Sequence, residues 1–231
     1  MYALYIGNKN YSSWSLRPWL LMHALAIPFD ERLIALEEGS NWTRFRSFSP
    51  NGRVPCLHDN DVVVWDSLAI TEYLAERHAG VWPEAADART WARCAAAEMH
   101  SGFSELRSRC SMNCGLRVQL NEIDETLAAD IARIDELWSE GITRFGGPYL
   151  AGATLGAADA FFAPVAFRVQ TFGLSLGAVA GAYCGRLLDH PSMQHWYAAA
   201  IAEPWREIGH DRGIANVGKI IADYRASPAD G

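Results

Sequence analysis

The residues of this 231-residue chain with the clearest capacity for chemistry lie in one stretch near the N-terminus. A short apolar segment, residues 2–6, ends at Gly-Asn and is followed by hydroxyl side chains and then an apolar run, so we predict a strand, a loop and a helix start. Free N–H groups at a helix start, together with the helix dipole, favour an anion or a thiolate. The hydroxyl groups belong to Tyr11, Ser12, Ser13 and Ser15.

The charge and composition of the chain exclude several classes of function. The formal net charge is -7 and the pI is about 5.5, which argues against a nucleic-acid partner because phosphate binding needs clustered Lys and Arg. No apolar run approaches the roughly 20 residues of a membrane-spanning helix, and we find no N-terminal signal sequence. We therefore predict a cytoplasmic protein that does not bind membranes.

The cysteine and histidine patterns do not indicate a metal site. The five cysteines are an odd number without a C-x-x-C pair, and the seven histidines include no H-E-x-x-H motif. We therefore expect reduced, mostly buried thiols and no bound metal.

The first 80 residues alternate between strand-like and helix-like patterns. The predicted order is strand, helix, strand, short helix, strand, strand, helix, with the first helix ending near Leu25. Residues 53–57 and 62–65 are joined by a polar turn and form a predicted antiparallel hairpin. Pro55 cannot donate to a ladder, so it must lie at an edge or a strand end, and the Val54–Pro55 bond is a candidate cis peptide.

The rest of the chain has helical periodicity. The composition shifts to Gly, Pro and Ala from Ala79 to Asp87, so we predict a linker over residues 81–88 and a second, all-helical domain over residues 89–231. Residues 157–170 are apolar almost all round, which predicts a central helix. We predict an extended or frayed tail. The other predicted helices cover residues 89–109, a stripe from Ile123 to Trp138, residues 178–188 and residues 192–202.

Four motifs in this order resemble the soluble glutathione S-transferases, and the resemblance covers most of the chain. It implies a thioredoxin-like N-terminal domain over residues 1–80 and an all-helical glutathione-transferase C-terminal domain over residues 89–231. The motifs are Ser-Ser-Trp-Ser-Leu-Arg at 12–17, Asn-Gly-Arg-Val-Pro-Cys-Leu at 51–57, Trp-Asp-Ser-Leu-Ala-Ile at 65–70 and Gly-Ala-Ala-Asp-Ala-Phe-Phe-Ala-Pro-Val at 156–165.

The serine motif is most similar to that of the zeta class, Ser-Ser-Cys-Ser-Trp-Arg-Val-Arg. Trp14 stands where that class has Cys, and Pro18-Trp19 replace Val-Arg. This departure weighs against the zeta activity, isomerisation of maleylacetoacetate. The expected activity is conjugation of glutathione to a small electrophile, or isomerisation of such a substrate. The alternative is a non-catalytic protein that binds glutathione in a regulatory or stress role. The family resemblance also implies a role in detoxification and assembly as a homodimer.

The resemblance also implies a glutathione site. Val54, before a cis Pro55, would pair its backbone with the cysteinyl part of glutathione, and Arg53 would reach the glycine carboxylate. Asp66 and Ser67 would hold the γ-glutamyl end. The last assignment agrees with the residue chemistry, since a serine that opens a helix can bind a carboxylate and an aspartate can pair with an ammonium group.

A serine hydroxyl is sufficient to activate the thiol of glutathione. Lowering a thiol pKa from about 8.5 to about 6.5 costs roughly 2.7 kcal/mol. A hydrogen bond to a charged acceptor contributes about 1.5–3 kcal/mol and a helix N-terminus about 0.3–1 kcal/mol more. Ser13 and Ser12 both remain candidates for this catalytic donor, Tyr5 and Tyr11 are rivals, and we expect Ser15 to cap the helix.

The acceptor substrate would bind between the two domains. We expect its pocket to be walled by one helix, with a cationic face for an acidic co-substrate, and by the loop 109–113. The predicted wall residues are Met99, His100, Phe103 and Arg107.

Two further motifs have a structural explanation. Residues 173–177 match the nucleophile-elbow pattern G-x-S-x-G, with Asp189 and His190 downstream, but no strand precedes them and we predict a turn between helices. Residues 156–159 resemble the N-capping box of the family, with Gly156 in place of the usual Ser or Thr, and we expect a folding role for Asp159.

Overall fold

The structure, a computed structural model, describes residues 1–36 and 39–227 of the chain. The end of the predicted second domain, residues 228–231, lies outside this range. In the first part of the chain the order of elements is the predicted one. These elements are β1 (Tyr2–Ile6), α1 (Ser13–Ala24), β2 (Phe29–Leu33), α2 (Trp42–Phe45), β3 (Cys56–Asp59), β4 (Val62–Trp65) and α3 (Ser67–Ala75).

The four strands form one mixed sheet with the order β2-β1-β3-β4. β1 is parallel to β2 because α1 provides the crossover connection, and it is antiparallel to β3. β3 and β4 form the predicted hairpin, but β3 begins at Cys56 rather than at residue 53 and extends to Asp59. Leu4 faces Leu57 across the central strand pair, and both are fully buried. This arrangement of strands and helices is thioredoxin-like.

The second part of the chain is mainly helical and is built around one buried helix. In α7, 14 of the 16 residues are buried, and α7 packs against α1, α4 and α8, which confirms the predicted central helix. The elements are α4 (Ala86–Ser101), α5 (Ser104–Arg109), β5 (Leu116–Leu120), α6 (Glu125–Phe145), α7 (Ala157–Phe172), α8 (Ala178–Leu188), α9 (Pro191–Ala202), α10 (Ile208–Val217) and β6 (Gly218–Asp223).

Two features differ from the sequence prediction. The helix predicted over residues 89–109 is divided into α4 and α5, because Phe103 adopts a left-handed conformation with φ 57°. As far as residue 227, the tail is not frayed: α10 and β6 follow α9, and β6 pairs with β5 in a two-stranded antiparallel sheet. The helical domain therefore carries a small sheet that local periodicity did not predict.

None of the helices in the described ranges combines the length and hydrophobicity that crossing a membrane requires.

Candidate functional site

A cavity of about 470 Å³ lies where the loop before α1 meets the helical part of the chain. Its first wall comes from the β1–α1 loop and the segment before β3. Its second wall comes from α5, the loop after α5, α7 and α10. The lining residues are Tyr11, Ser12, Ser13, Trp14, Leu36, Asn41, Trp42, Phe45, Gly52, Arg53, Val54, Arg107, Ser111, Met112, Arg168 and His210.

The two candidate serines differ in what their hydroxyl groups already contact. Ser12 is at the N-cap of α1, and its Oγ donates to Ser15 Oγ at 2.7 Å. Ser15 also accepts from the Gly7 N–H at 3.1 Å, so it ties the loop to the helix and is not the cap. Ser13 is the first residue of α1 and is half-buried, and its hydroxyl makes no hydrogen bond within the described ranges. Ser13 is therefore the serine with a hydroxyl proton available to a ligand.

Neither of the two tyrosines proposed as rival donors presents an unused hydroxyl to the larger cavity. Tyr5 does not line the cavity, and its ring stacks on Phe48 with centroids 4.4 Å apart. Tyr11 does line the cavity, but its hydroxyl donates to Asp211 at 3.4 Å and accepts from Arg225 at 3.0 Å. Burial and the nearby Asp211 raise the pKa of Tyr11.

The loop before α1 is held in place by the helical part of the chain. The Glu203 carboxylate, which is almost fully buried, accepts from the N–H groups of Lys9 and Asn10 at 2.7 and 3.2 Å. The Asn10 side chain in turn accepts from the Gly115 N–H at 3.0 Å. The position of Ser13 therefore depends on residues almost 200 positions further along the chain.

A second cavity of about 150 Å³ adjoins the first and contains the residues predicted to bind glutathione. The Val54–Pro55 peptide bond is cis, as predicted. Val54 lies in an irregular segment just before β3 and outside the sheet ladder. The lining residues are Trp14, Asn51, Arg53, Val54, Pro55, Asp66 and Ser67. Three of them, Trp14, Arg53 and Val54, also line the larger cavity.

Asp66 and Ser67 form the start of α3 at the far side of this second cavity. Asp66 has φ 73° and is the N-cap, with its carboxylate accepting from the Leu68 N–H at 2.8 Å. Ser67 is fully buried, and the guanidinium of Arg17 lies 3.4 Å from its hydroxyl. Hydroxyl, helix start and guanidinium together make this end of the cavity suitable for a carboxylate.

The structure separates the four residues predicted to wall the acceptor pocket. Arg107 lines the larger cavity, together with Ser111 and Met112 of the predicted loop. Met99 is fully buried in the hydrophobic core, and Phe103 belongs to the same core at the break between α4 and α5. The ring of His100 faces the start of α3, with its Nε2 3.6 Å from the Asp66 carboxylate. Helical spacing did not place these side chains because the helix ends at Ser101.

Sequence reasoning missed Arg168, which lines the larger cavity from α7. It is 4% exposed, and its Nε donates to the carbonyl oxygen of Cys110 at 2.8 Å. Burial and the neighbouring Arg107 lower the pKa of Arg168 to about 10. The signal in the sequence was a single cation inside an almost continuous apolar helix, which is rare unless the charge has a partner or a ligand.

Neither metal ligands nor reactive thiols are gathered near the cavities. Within the described residues, no group of three or more His, Cys, Asp or Glu side chains is arranged to bind a metal ion. All five cysteines are free thiols, and burial raises the pKa of Cys56 and of Cys110 to about 11. Buried thiols with such pKa values stay protonated at neutral pH and do not act as nucleophiles.

The two motifs given a structural explanation have that role in the structure. Gly173 ends α7 in the left-handed conformation, and a short turn leads to α8, so the G-x-S-x-G match follows a helix rather than a strand. Asp159 accepts from the N–H groups of Gly156 and Leu150 at 2.9 and 3.0 Å, which confirms the capping box, and from the Tyr183 hydroxyl at 2.9 Å.

Comparison with known proteins agrees with this geometry. Residues 11–77 match a family described as "Glutathione S-transferase, N-terminal domain". The chain is also 22% identical over 219 residues to glutathione S-transferase GstB of Escherichia coli (strain K12), a match that covers 86% of this chain and 93% of that protein. Residues 11–77 therefore match the N-terminal domain of the glutathione S-transferase family, and most of the chain is similar to members of that family.

Solved structures of other glutathione S-transferases share the fold of this one. A glutathione transferase homolog from Burkholderia gl BGR1, with bound glutathione, has a TM-score of 0.65 at 22% identity and covers 86% of this chain and 97% of its own. A theta class enzyme from Xanthomonas axonopodis pv. citri, also with glutathione bound, has a TM-score of 0.62 at 22% identity, with coverages of 85% and 96%. At this identity the likeness establishes the fold of the chain. The resemblance of its serine motif to the zeta class stays a prediction.

Proposed function

We propose that this glutathione S-transferase binds glutathione along the two adjoining cavities and conjugates its sulfur to a small electrophile, with Ser13 stabilising the thiolate. The observation that carries the proposal is the shared wall of the cavities. Val54 and Arg53 line both of them, Ser67 closes the smaller one, and Ser13 lines the larger one. A tripeptide whose γ-glutamyl end is held at Ser67 and whose middle residue lies against Val54 brings its thiol to Ser13.

Each group of glutathione has a matching partner in this arrangement. The γ-glutamyl carboxylate meets the Ser67 hydroxyl, with Arg17 behind it, and the ammonium group meets Asp66. The cysteinyl backbone pairs with Val54, and Pro55 fixes the direction of the chain there. Arg53, which is exposed beside both cavities, meets the glycine carboxylate.

The chemistry that follows is a substitution at the electrophile. The thiol loses its proton to solvent, and Ser13 donates a hydrogen bond to the resulting thiolate. The sulfur forms a bond to an electrophilic carbon while the leaving group departs with the bonding electrons. The larger cavity, at about 470 Å³, is within the size range of ligand pockets and accommodates a small electrophile beside the thiol.

The cellular setting we infer is the cytoplasm, where the five unpaired thiols stay reduced, and the role is detoxification of electrophiles. We also infer a homodimer. Large apolar side chains are exposed on α2 and on the edge strand β4, namely Trp42, Val62 and Trp65, and such surfaces are typical of protein contacts. Light scattering of the purified protein measures the oligomeric state directly.

Two assays on the purified protein test the proposed function. Retention on immobilised glutathione, with elution by free glutathione, measures binding, and turnover of a dinitrophenyl halide in the presence of glutathione measures conjugation. We expect both. Binding without turnover of any electrophile would favour the regulatory alternative, and absence of binding would contradict both.

A further inference from the structure

The charges that face the larger cavity are of one sign. Among its described lining residues, three are arginines and none is aspartate or glutamate. Arg53 belongs to the segment that we assign to glutathione. The other two, Arg107 and Arg168, come from the helical part of the chain, on the wall opposite that segment. That wall therefore presents two cations where the second substrate is expected to bind.

Arg168 is a buried cation without a carboxylate partner in the described ranges. Its Nε is used by the Cys110 carbonyl, and its two terminal nitrogens have no hydrogen-bond acceptor within those ranges. Among the neighbouring charges, the one with the largest effect on Arg168 is the positive charge of Arg107. Burial and this repulsion together lower the pKa of Arg168. A buried cation is costly unless an anion compensates it. An anion that enters the cavity would provide this compensation.

Arg107 is held in a fixed position beside Arg168. Its Nη1 donates to the carbonyl oxygens of Met99 and His100 at 3.2 and 3.1 Å, which are left open where α4 ends. Its guanidinium lies over the Trp14 ring, 4.3 Å from the centroid. These contacts use one nitrogen and one face of the guanidinium, so the remaining nitrogens can bind a ligand. Because the group is fixed in advance, a ligand loses little of its binding energy in ordering it.

We propose that the acceptor electrophile of this enzyme carries an anionic group, a carboxylate or a sulfonate, and that Arg168 and Arg107 bind it. The inference rests on the proposed function, because it assigns the second substrate of that same reaction. It gives the two arginines a role in substrate choice, and the reacting sulfur stays with Ser13. A guanidinium pair suits a planar carboxylate, which accepts two parallel hydrogen bonds.

A matched pair of acceptors tests this assignment. A chlorodinitrobenzoate and its methyl ester have the same electrophilic ring and differ in the negative charge. We expect wild-type enzyme to prefer the benzoate by kcat/KM after correction for the uncatalysed rates. In Arg168→Met and in Arg107→Met we expect the ratio of benzoate to ester to fall by about tenfold to one hundredfold, the equivalent of one charged hydrogen bond. The change should appear mainly in KM for the benzoate.

The control variant is Arg109→Met. Arg109 is on the same short helix as Arg107, but its side chain pairs with Asp124 and it does not line the cavity. We expect the ratio to be unchanged in this variant. Arg107→Met is measured beside Arg168→Met because loss of Arg168 also removes a hydrogen bond in the core. Circular dichroism and the rate with the ester show whether each variant is folded.

Binding measurements separate failure of this inference from failure of the proposed function. Calorimetric titration of glutathione into each variant measures its affinity for the first substrate. Titration of the unreactive dinitrobenzoate into the glutathione complex measures its affinity for the second. Equal preference for acid and ester in wild type would overturn the inference while leaving conjugation intact. A weaker glutathione affinity with an unchanged acid-to-ester ratio in both variants would assign the arginines to glutathione and overturn it as well.

Discussion

Replacing Ser13 by Ala should raise the pKa of the enzyme-bound glutathione thiol, whereas replacing Ser12 should not. The reason is the hydrogen bond from Ser12 to Ser15 at 2.7 Å, which occupies the Ser12 proton. The Ser13 hydroxyl, at the start of α1, has no such partner in the described part of the chain. The helix dipole acts on the sulfur in both variants and so does not distinguish them.

The size of the effect follows from the hydrogen bond that is lost. A hydrogen bond to a charged acceptor contributes about 1.5–3 kcal/mol. At about 1.36 kcal/mol for each pKa unit, its removal raises the thiol pKa by about 1 to 2 units. If the wild-type value is about 6.5 and the variant value about 8, the thiolate fraction at pH 7 falls roughly eightfold. The activity of Ser13→Ala should therefore recover as the pH is raised.

The assay is a pH titration of the ultraviolet absorbance of the thiolate in the enzyme–glutathione complex, with the pH profile of kcat/KM as a second measurement. Ser12→Ala and Tyr11→Phe are matched controls, since each removes one hydroxyl that lines the same cavity. A shift in Ser12→Ala with none in Ser13→Ala would refute the reasoning from hydrogen bonds. A shift in Tyr11→Phe alone would move the donor to the tyrosine.

Three further changes test the framework around the site. Asp159→Ala leaves three donors, two of them buried, without their acceptor and should lower the free energy of unfolding by about 3–5 kcal/mol in urea titrations, with a smaller loss for Asp159→Asn. Folding holds the pKa of Asp124 at about 2, below its usual 3.8. The contribution of this carboxylate to stability is therefore complete above pH 4 and is lost as the pH falls toward 2. Asp124→Asn should flatten the dependence of the free energy of unfolding on pH in acid. Arg225→Ala removes the bonds to Asp211 and Tyr11 and should speed amide hydrogen exchange in β6, and unchanged exchange would show that the contact is dispensable.

The features predicted correctly from sequence are those with a local physical cause. The strand, loop and helix around Ser13 follow from an apolar segment, a turn and a second apolar segment within about twenty residues. The cis bond before Pro55 and the cap at Asp159 also depend on a few neighbouring residues. Such signals need no knowledge of the rest of the chain.

The features that were missed depend on contacts between distant residues. β5 pairs with β6 about 100 positions away, and the sequence of neither strand identifies its partner. The end of α4 depends on the left-handed Phe103, a conformation that residue type alone does not indicate. The same break separates Arg107, which lines the cavity, from Met99 of α4, which is buried in the core. In the sequence Arg168 is one cation in an apolar helix, and only the packing of α7 against the loop after α5 places it in the wall of the larger cavity.

Trp14 has a more specific role in the structure than its position in the serine motif suggested. Its ring lines both cavities, and two guanidinium groups lie over it, those of Arg17 at 4.2 Å and Arg107 at 4.3 Å. Arg17 reaches Ser67 in the smaller cavity, whereas Arg107 lines the larger one. One indole therefore holds a guanidinium at each cavity. A cysteine at this position, as in the zeta motif, has no aromatic face to hold either guanidinium, so under our proposal the departure from that motif bears on the choice of acceptor.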